Sequence, residues 1–376
     1  MPNPFSKMKY KIPLYKPLFS GNEQKYVNEC METSWISSRG RFVNLFEEKF
    51  AEFIGIEHSI AVCNGTVSLH LALLGLDIGP GDEVIVPTLT YISSVNVIAY
   101  VGATPVFVDS LPDSWQMDPE DVKKKITSKT KAIMAVHLYG QPADMSELVE
   151  ICQKNKLFLI EDCAEAIGSK FKDQYVGSFG DISSFSFYGN KTITTGEGGM
   201  ILIKDKKVYE KLMKLKAQGI AGDKEYWHDV IGYNYRMTNI CAAIGVAQLE
   251  QVNSIIEKKV KIAETYQSLL KGINVKFHDA VGPVFHSYWM CSILVEKAEQ
   301  RDALREYMTE HGVETRPLFY PIHTMPMYFE DKSYPVAENL AYRGMNLPSY
   351  PELTTEQIKT VVDTLAKGIE FLNASK

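Results

Sequence analysis

Cysteines are few and scattered in this 376-residue chain: Cys30, Cys63, Cys152, Cys163, Cys241 and Cys291 include no C-x-x-C pair. That spacing excludes the usual zinc patterns and offers no disulfide framework. Buried thiols of a reducing compartment are expected, and with them a cytoplasmic setting. His323 has no second His or Cys at ligand spacing, so no metal is expected. No uncharged apolar run approaches the ~20 residues that a membrane-spanning helix needs. The opening Met1-Pro-Asn-Pro-Phe-Ser-Lys7 lacks the apolar segment of a secretion signal. Positive charge is not in excess either. The net charge of −6 argues against a general nucleic-acid binder, although a local basic patch can still hold a nucleotide phosphate. No G-x-G-x-x-G follows the first expected strand, which sets aside a dinucleotide-dependent oxidoreductase. Gly189-Asn-Lys-Thr192 lacks the first glycine of a phosphate loop and carries Asn190 in place of the second. Repeats and low-complexity segments are also missing.

What remains is an ordinary globular composition, 45% apolar and 23% charged, in a chain long enough for one large domain and a smaller one. Short apolar runs alternate with amphipathic segments through the first half. Strands are expected at 59–63, 83–87, 104–109, 131–136 and 157–160, with helices at 43–54, 67–76, 91–100, 118–127 and 144–155 between or before them. This β-α order implies an α/β fold with a mostly parallel sheet covered on both faces, whose ligands lie beyond the carboxyl ends of the strands. Asn64, Pro87, Asp109, His137, Glu161 and Asp162 fall at those ends. A long helix is expected from Ile240 to about Leu270, and the domain boundary inside it: a large domain over 1–250 and a smaller α+β domain over 251–376.

The run Ser183-Ser-Phe-Ser-Phe-Tyr-Gly-Asn-Lys191 sets one lysine beside a buried strand, ahead of the turn Gly196-Glu-Gly-Gly199. A lysine amine that loses hydration becomes a nucleophile, and such amines form Schiff bases with carbonyl compounds such as pyridoxal phosphate. Alone, Lys191 reads far more readily as a solvated loop residue beside a β-turn. Glu161-Asp162 after another buried strand offers a carboxylate for a protonated ring nitrogen, or else a helix cap. Asn64-Gly65-Thr66 begins a helix where backbone N–H groups and the helix dipole favour an anion, or where Asn64 or Thr66 is simply a cap. Ser186 adds a hydroxyl and Tyr91 an aromatic ring. Trp35-Ile-Ser-Ser-Arg-Gly-Arg41 suits a ligand with both a ring and phosphates, and reads equally as a packed turn. Arg316, Tyr320 and His323, in a proline-rich aromatic loop, are candidates for contact with sugar or diphosphate.

Together with Gly79-Pro-Gly-Asp-Glu-Val-Ile-Val-Pro87, Glu161-Asp-Cys-Ala-Glu-Ala166, Gly232-Tyr-Asn-Tyr-Arg-Met-Thr-Asn239 and Arg316-Pro-Leu-Phe-Tyr-Pro-Ile-His323, these blocks occur in the order found in one family. The chain resembles the DegT/DnrJ/EryC1/StrS sugar aminotransferases over essentially its whole length. The resemblance implies a fold type I pyridoxal-phosphate enzyme that moves an amino group from L-glutamate to C4 of a nucleotide-linked 4-keto-6-deoxy sugar. Within the family, the runs 34–38, 88–92, 228–245 and 314–328 resemble the branch acting on GDP-4-keto-6-deoxy-D-mannose; a UDP- or TDP-linked sugar is the alternative. A catalytically silent homologue that binds the cofactor is the non-enzyme alternative, against which the retention of Lys191 and Asp162 weighs. The resemblance makes Lys191 the Schiff-base lysine and proton carrier, Asp162 the partner of the ring nitrogen, and Glu165, where many members carry Gln, a neighbour of the ring hydroxyl. Tyr91 and Ala164 cover the two ring faces. Gly65, Thr66 and Ser186 hold the phosphate, joined by Asn234, Arg236 or Asn239 from a neighbouring subunit. A homodimer with shared sites is implied, and Trp35, Ser37, Arg316, Tyr320 and His323 are expected on the substrate.

Overall fold

Apolar strands and the helices between them assemble one seven-stranded sheet in the computed structural model, which describes residues 10–222 and 224–374. Helices α1 (Glu23–Glu32) and α2 (Arg41–Ile54) precede β1 (His58–Val62). Then follow α3 (Gly65–Gly75), β2 (Glu83–Pro87), α4 (Ser93–Tyr100), β3 (Thr104–Val108), α5 (Pro119–Lys125), β4 (Thr130–Val136), α6 (Met145–Asn155) and β5 (Phe158–Asp162). A small hairpin, β6 (Lys170–Phe171) and β7 (Gln174–Tyr175), leads to β8 (Ile182–Ser186), β9 (Gly199–Ile203) and α7 (Lys206–Leu215). The sheet order is β1-β9-β8-β5-β4-β2-β3. Pairings from β3 to β8 are parallel, and β9 is antiparallel to both neighbours, so one strand alone is reversed.

Alternation along each strand sends side chains to opposite faces. Ile60, Val62, Ile201 and Ile203 pack with α3 and α4, whereas Ala61, Met200 and Leu202 pack with α2 and the helix that follows α7. Helix α3 shows little amphipathicity because both flanks are covered: Leu69, Leu71, Ala72 and Leu73 are all buried. Its N-terminus is fixed by Asn64, whose side chain accepts from the Val67 N–H at 3.0 Å.

The long helix expected over 240–270 is two helices, α8 (Asn239–Glu250) and α9 (Val252–Leu269), joined at Gln251, where φ −114° and ψ 5° break the helical path. We propose this joint, at the position expected from the sequence, as the domain boundary. The remainder contains β10 (Val275–Phe277), β11 (Val284–Phe285), β12 (Cys291–Val295), α10 (Arg301–Glu310), β13 (Arg316–Pro317), α11 (Pro335–Arg343), β14 (Gly344–Leu347) and α12 (Thr355–Ala374). An antiparallel sheet, β10-β12-β14-β13, packs through Cys291, Ile293, Met345 and Leu347 on residues of α9, α10 and α12. Two strips cross between the halves. β11 pairs with β6, and the segment 11–14 lies on the C-terminal half, with Lys11 and Ile12 N–H donating to the Gly312 carbonyl.

Candidate active site

The carboxyl ends of β5 and β8 and the N-termini of α3 and α4 open into one cavity of about 560 Å³. This is the place that the topology of a parallel sheet leaves for a ligand. Asp162 is the last residue of β5, which runs two residues past the end expected from the sequence, and is 5% exposed. Ser94 Oγ donates to its Oδ2 at 2.7 Å and the Ala164 N–H to its Oδ1 at 3.1 Å, so the carboxylate is held at both oxygens. Burial raises its pKa, opposed by the Ser94 and Ala164 bonds and by the Lys191 cation. Behind it, Glu161 points to the other face of the sheet. Its oxygens accept from the N–H groups of Gly177, Phe179 and Gly180 and from His137 Nε2 at 3.1 Å. His137 Nδ1 accepts from the Ala143 N–H at 3.1 Å, which fixes the tautomer with its proton on Nε2. His137, Glu161 and Cys163 lie close enough to hold a metal, yet the imidazole and the carboxylate already spend their ligand atoms on these bonds. The cluster is a prop for β5.

Lys191 enters the cavity from the turn after β8, its side chain 12% exposed. Its Nζ lies 3.5 Å from Glu165 Oε1 and 3.9 Å from the ring centroid of Trp289. The other oxygen of Glu165 accepts from the Tyr139 N–H at 2.9 Å. Burial pushes the Glu165 carboxyl up to about 7, against the pull of the lysine. This carboxyl therefore gains and loses its proton near neutrality.

At the other end, Gly65 and Thr66 begin α3. A Cβ on Gly65 would sit 2.8 Å from Ser186 Cβ, so only glycine lets helix and strand approach this closely. Thr66 Oγ1 is 2.9 Å from Ser93 Oγ, and Ser186 lines the same cavity. Two helix N-termini and three hydroxyls converge there, a setting for a phosphate dianion. Tyr91, 55% exposed, stands 5.5 Å from Phe319 at the cavity wall, and Ala164 lies on the lining. An amine, a buried carboxylate and a hydroxyl-lined anion site in one cavity are the donor set that pyridoxal phosphate requires, and the glycine cradle leaves room for its phosphate. The residues fit the group.

Lys191, Asp162, Glu165, Ala164, Gly65, Thr66, Ser186 and Tyr91 are thus brought together. Trp35, Ser37, Asn234, Arg316, Tyr320 and His323 do not line this cavity. Trp35, Ser37 and Asn234 are exposed. Arg316 pairs with Glu314 at 3.0 Å, and Tyr320 stands beside the Arg301 guanidinium at 5.7 Å. His323 is 2% exposed, with Nδ1 2.7 Å from Thr88 Oγ1 and Nε2 3.3 Å from Glu338, so both ring nitrogens are taken by the fold. Asn239 is likewise committed. Its Oδ1 accepts from the Phe42 N–H and its Nδ2 donates to the Trp35 carbonyl at 2.6 Å and to Cys30 Sγ, which leaves Asn234 and Arg236 as the residues of that motif able to reach outward. Sequence reasoning missed Ser94, Trp289, Tyr139 and Phe319. Ser94 carried a signal, a hydroxyl at the start of a helix after a buried strand; the others meet the site only through the chain's long-range path.

The chain has relatives among known proteins. The model of the DegT/DnrJ/EryC1/StrS aminotransferase family matches residues 18–366. The chain is 56% identical to GDP-perosamine synthase of Escherichia coli O157:H7 over 95% of its own length and 98% of that protein's. It is 50% identical to GDP-perosamine synthase of Vibrio cholerae, with 94% and 98% covered. The pyridoxal-phosphate form of the sugar aminotransferase Spr1654 from Streptococcus pneumoniae superposes with a TM-score of 0.92 at 29% identity, covering 96% of this chain and all of that one. The family model spans most of the chain, and this chain belongs to the DegT/DnrJ/EryC1/StrS aminotransferase family, which works with pyridoxal phosphate.

Proposed function

We propose that the chain transfers an amino group from L-glutamate to C4 of GDP-4-keto-6-deoxy-D-mannose, giving GDP-perosamine. One observation carries the chemistry: the Lys191 amine shares a cavity with the buried, doubly held carboxylate of Asp162. The choice of sugar nucleotide is supported by the relatives at 56% and 50% identity.

Pyridoxal phosphate, when bound, supplies the carbonyl and the electron-withdrawing ring that make a C–H bond beside an amine acidic. The residues around it have separate tasks. Asp162 would hold the ring nitrogen and favour its protonated form. Lys191 is the one amine on the cavity lining among the described residues, and its Nζ carries the proton removed from the donor and returned to the acceptor. Glu165, protonated at or below neutrality, can donate to the ring hydroxyl. The N–H groups at the start of α3, with Thr66 and Ser186, would bind the phosphate. Tyr91 and Ala164, both on the cavity lining, would cover the ring.

The reading includes a homodimer with shared sites and a cytoplasmic setting. The dimer is supported by large apolar side chains left in solvent: Trp35 at 55%, Ile36 at 46%, Trp227 at 53% and Ile231 at 90% exposure. Asn239 ties the first of these loops to the start of α8, into which the second runs. Trp35, Ser37 and Asn234 then serve the neighbouring cavity, and Arg316 and Tyr320 meet the sugar nucleotide at its rim. The cytoplasm is supported by six free cysteines, four of them buried.

The test is an optical titration. The protein is converted with L-glutamate, freed of it, and offered GDP-4-keto-6-deoxymannose or a UDP-linked 4-keto-6-deoxy sugar. Recovery of the original cofactor band with the GDP sugar alone is expected. Recovery with the UDP sugar alone moves the enzyme to another substrate, and no band at any stage refutes the cofactor reading.

A further inference from the structure

The turn that carries Lys191 has no ladder to satisfy its carbonyls. Lys191 N–H closes the turn onto the Tyr188 carbonyl at 2.9 Å, but among the described residues no backbone N–H donates to the carbonyls of Asn190 and Lys191. Carbonyls withdrawn from water need donors. Two side chains remote in sequence supply them. Trp289 Nε1 donates to the Asn190 carbonyl at 2.7 Å, and Tyr15 Oη donates to the Lys191 carbonyl at 2.5 Å.

We infer that Tyr15 and Trp289 are positioning residues for Lys191, a clamp on two consecutive carbonyls that sets where its amine emerges into the cavity. The inference rests on the reading of Lys191 as the cofactor-bearing lysine. Trp289 acts twice, because its ring also lies 3.9 Å from Nζ. It precedes β12, in the C-terminal half. Tyr15 ends the segment laid along that same half: Glu314 N–H donates to the Ile12 carbonyl, Leu14 N–H to Glu314 Oε2, and Ser349 N–H to the Leu14 carbonyl. Below the Tyr15 ring, at 5.3 Å, lies the buried Lys259 amine, which donates to the Ser349 carbonyl at 2.6 Å. Burial raises the Tyr15 phenol well above its ordinary value, so it remains a donor at every working pH. The lysine is therefore mounted on the large sheet but aimed from the C-terminal half and the N-terminal segment.

Two variants test the clamp, Tyr15→Phe and Trp289→Phe, each removing one donor while keeping an aromatic ring. Pyridoxal phosphate is added to cofactor-free protein, its attachment to Lys191 is trapped with borohydride, and the modified peptide is weighed against time. Hydrogen exchange of residues 189–195 is followed in the cofactor-free protein. Each variant is expected to slow trapping about fivefold to tenfold, the effect of one lost hydrogen bond, and to speed exchange across 189–195. Retention of the cofactor phosphate, measured by competition with inorganic phosphate, should be unchanged. Wild-type trapping rates and exchange in both variants overturn the clamp. Wild-type protein that takes no label at Lys191 overturns the underlying reading of the lysine itself, a result the variants alone could not produce.

Discussion

Glu165→Gln isolates the electrostatic cost of a second carboxyl beside Lys191. In the folded chain the Glu165 carboxyl titrates at about 7, raised from 4.5 chiefly by burial. Between those values the folded state holds a proton that the unfolded chain has released, so the stability of the cofactor-free protein falls as pH rises through this window. The shift is about 2.5 units, and at about 1.36 kcal/mol per unit it amounts to roughly 3 kcal/mol. Glutamine keeps an oxygen for the Tyr139 N–H and has nothing to titrate. Urea denaturation of the cofactor-free wild type and variant at pH 5 and pH 8 is the assay. Raising the pH should favour the variant over the wild type by about 2 to 3 kcal/mol. In the holoenzyme, the same substitution should remove an inflection near pH 7 from the dependence of kcat/KM on pH. A stability difference independent of pH, with the inflection retained, would refute the assignment of that proton to Glu165.

Gly65→Ala places a Cβ 2.8 Å from Ser186 Cβ and should weaken cofactor retention at least about tenfold, near 1.4 kcal/mol, with the far-ultraviolet dichroism unchanged; cofactor loss on dilution is read by absorbance. His278, stacked on Trp115 at 3.8 Å, is held neutral by burial, with its pKa depressed to about 4. Its folded value lies below its unfolded one, so stability is lost as pH falls from about 6.5 towards 4. His278→Gln should reduce that acid loss by up to about 3 kcal/mol, measured as the urea midpoint at pH 7 and pH 4.5.

The sheet was legible because its signal is local. The run Glu83–Pro87 is a strand at the predicted ends, and α3 and α6 begin within two residues of expectation. Lys191 and Asp162 stood out by the apolar strands beside them. What sequence could not supply were partners fixed by topology. The Ser94 that holds Asp162 is 68 residues away, and Trp289 is 99 residues from the carbonyl it binds. His323 looked available in a loop of prolines and aromatics, but Thr88, 235 residues distant, had already claimed it. Gln251 broke a helix whose apolar spacing runs through without a proline or glycine to mark the break. Strands of two or three residues such as β6, β11 and β13 are too short to show a period of two. Helix α11 was overlooked despite Pro335 at its first position, a start signal that the flanking loop residues obscured.

Gly40 and Asn239 form a matched pair. A Cβ on Gly40 would lie 2.3 Å from the Asn239 side chain, whose amide holds the Trp35 carbonyl and the Phe42 N–H. Any attempt to exchange the 34–39 loop for that of a relative must therefore carry both positions across together. Moved with residue 239 left behind, a loop with any other residue at 40 arrives without its mooring; moved as a unit, it keeps its anchorage while the lysine and its carboxylate stay untouched.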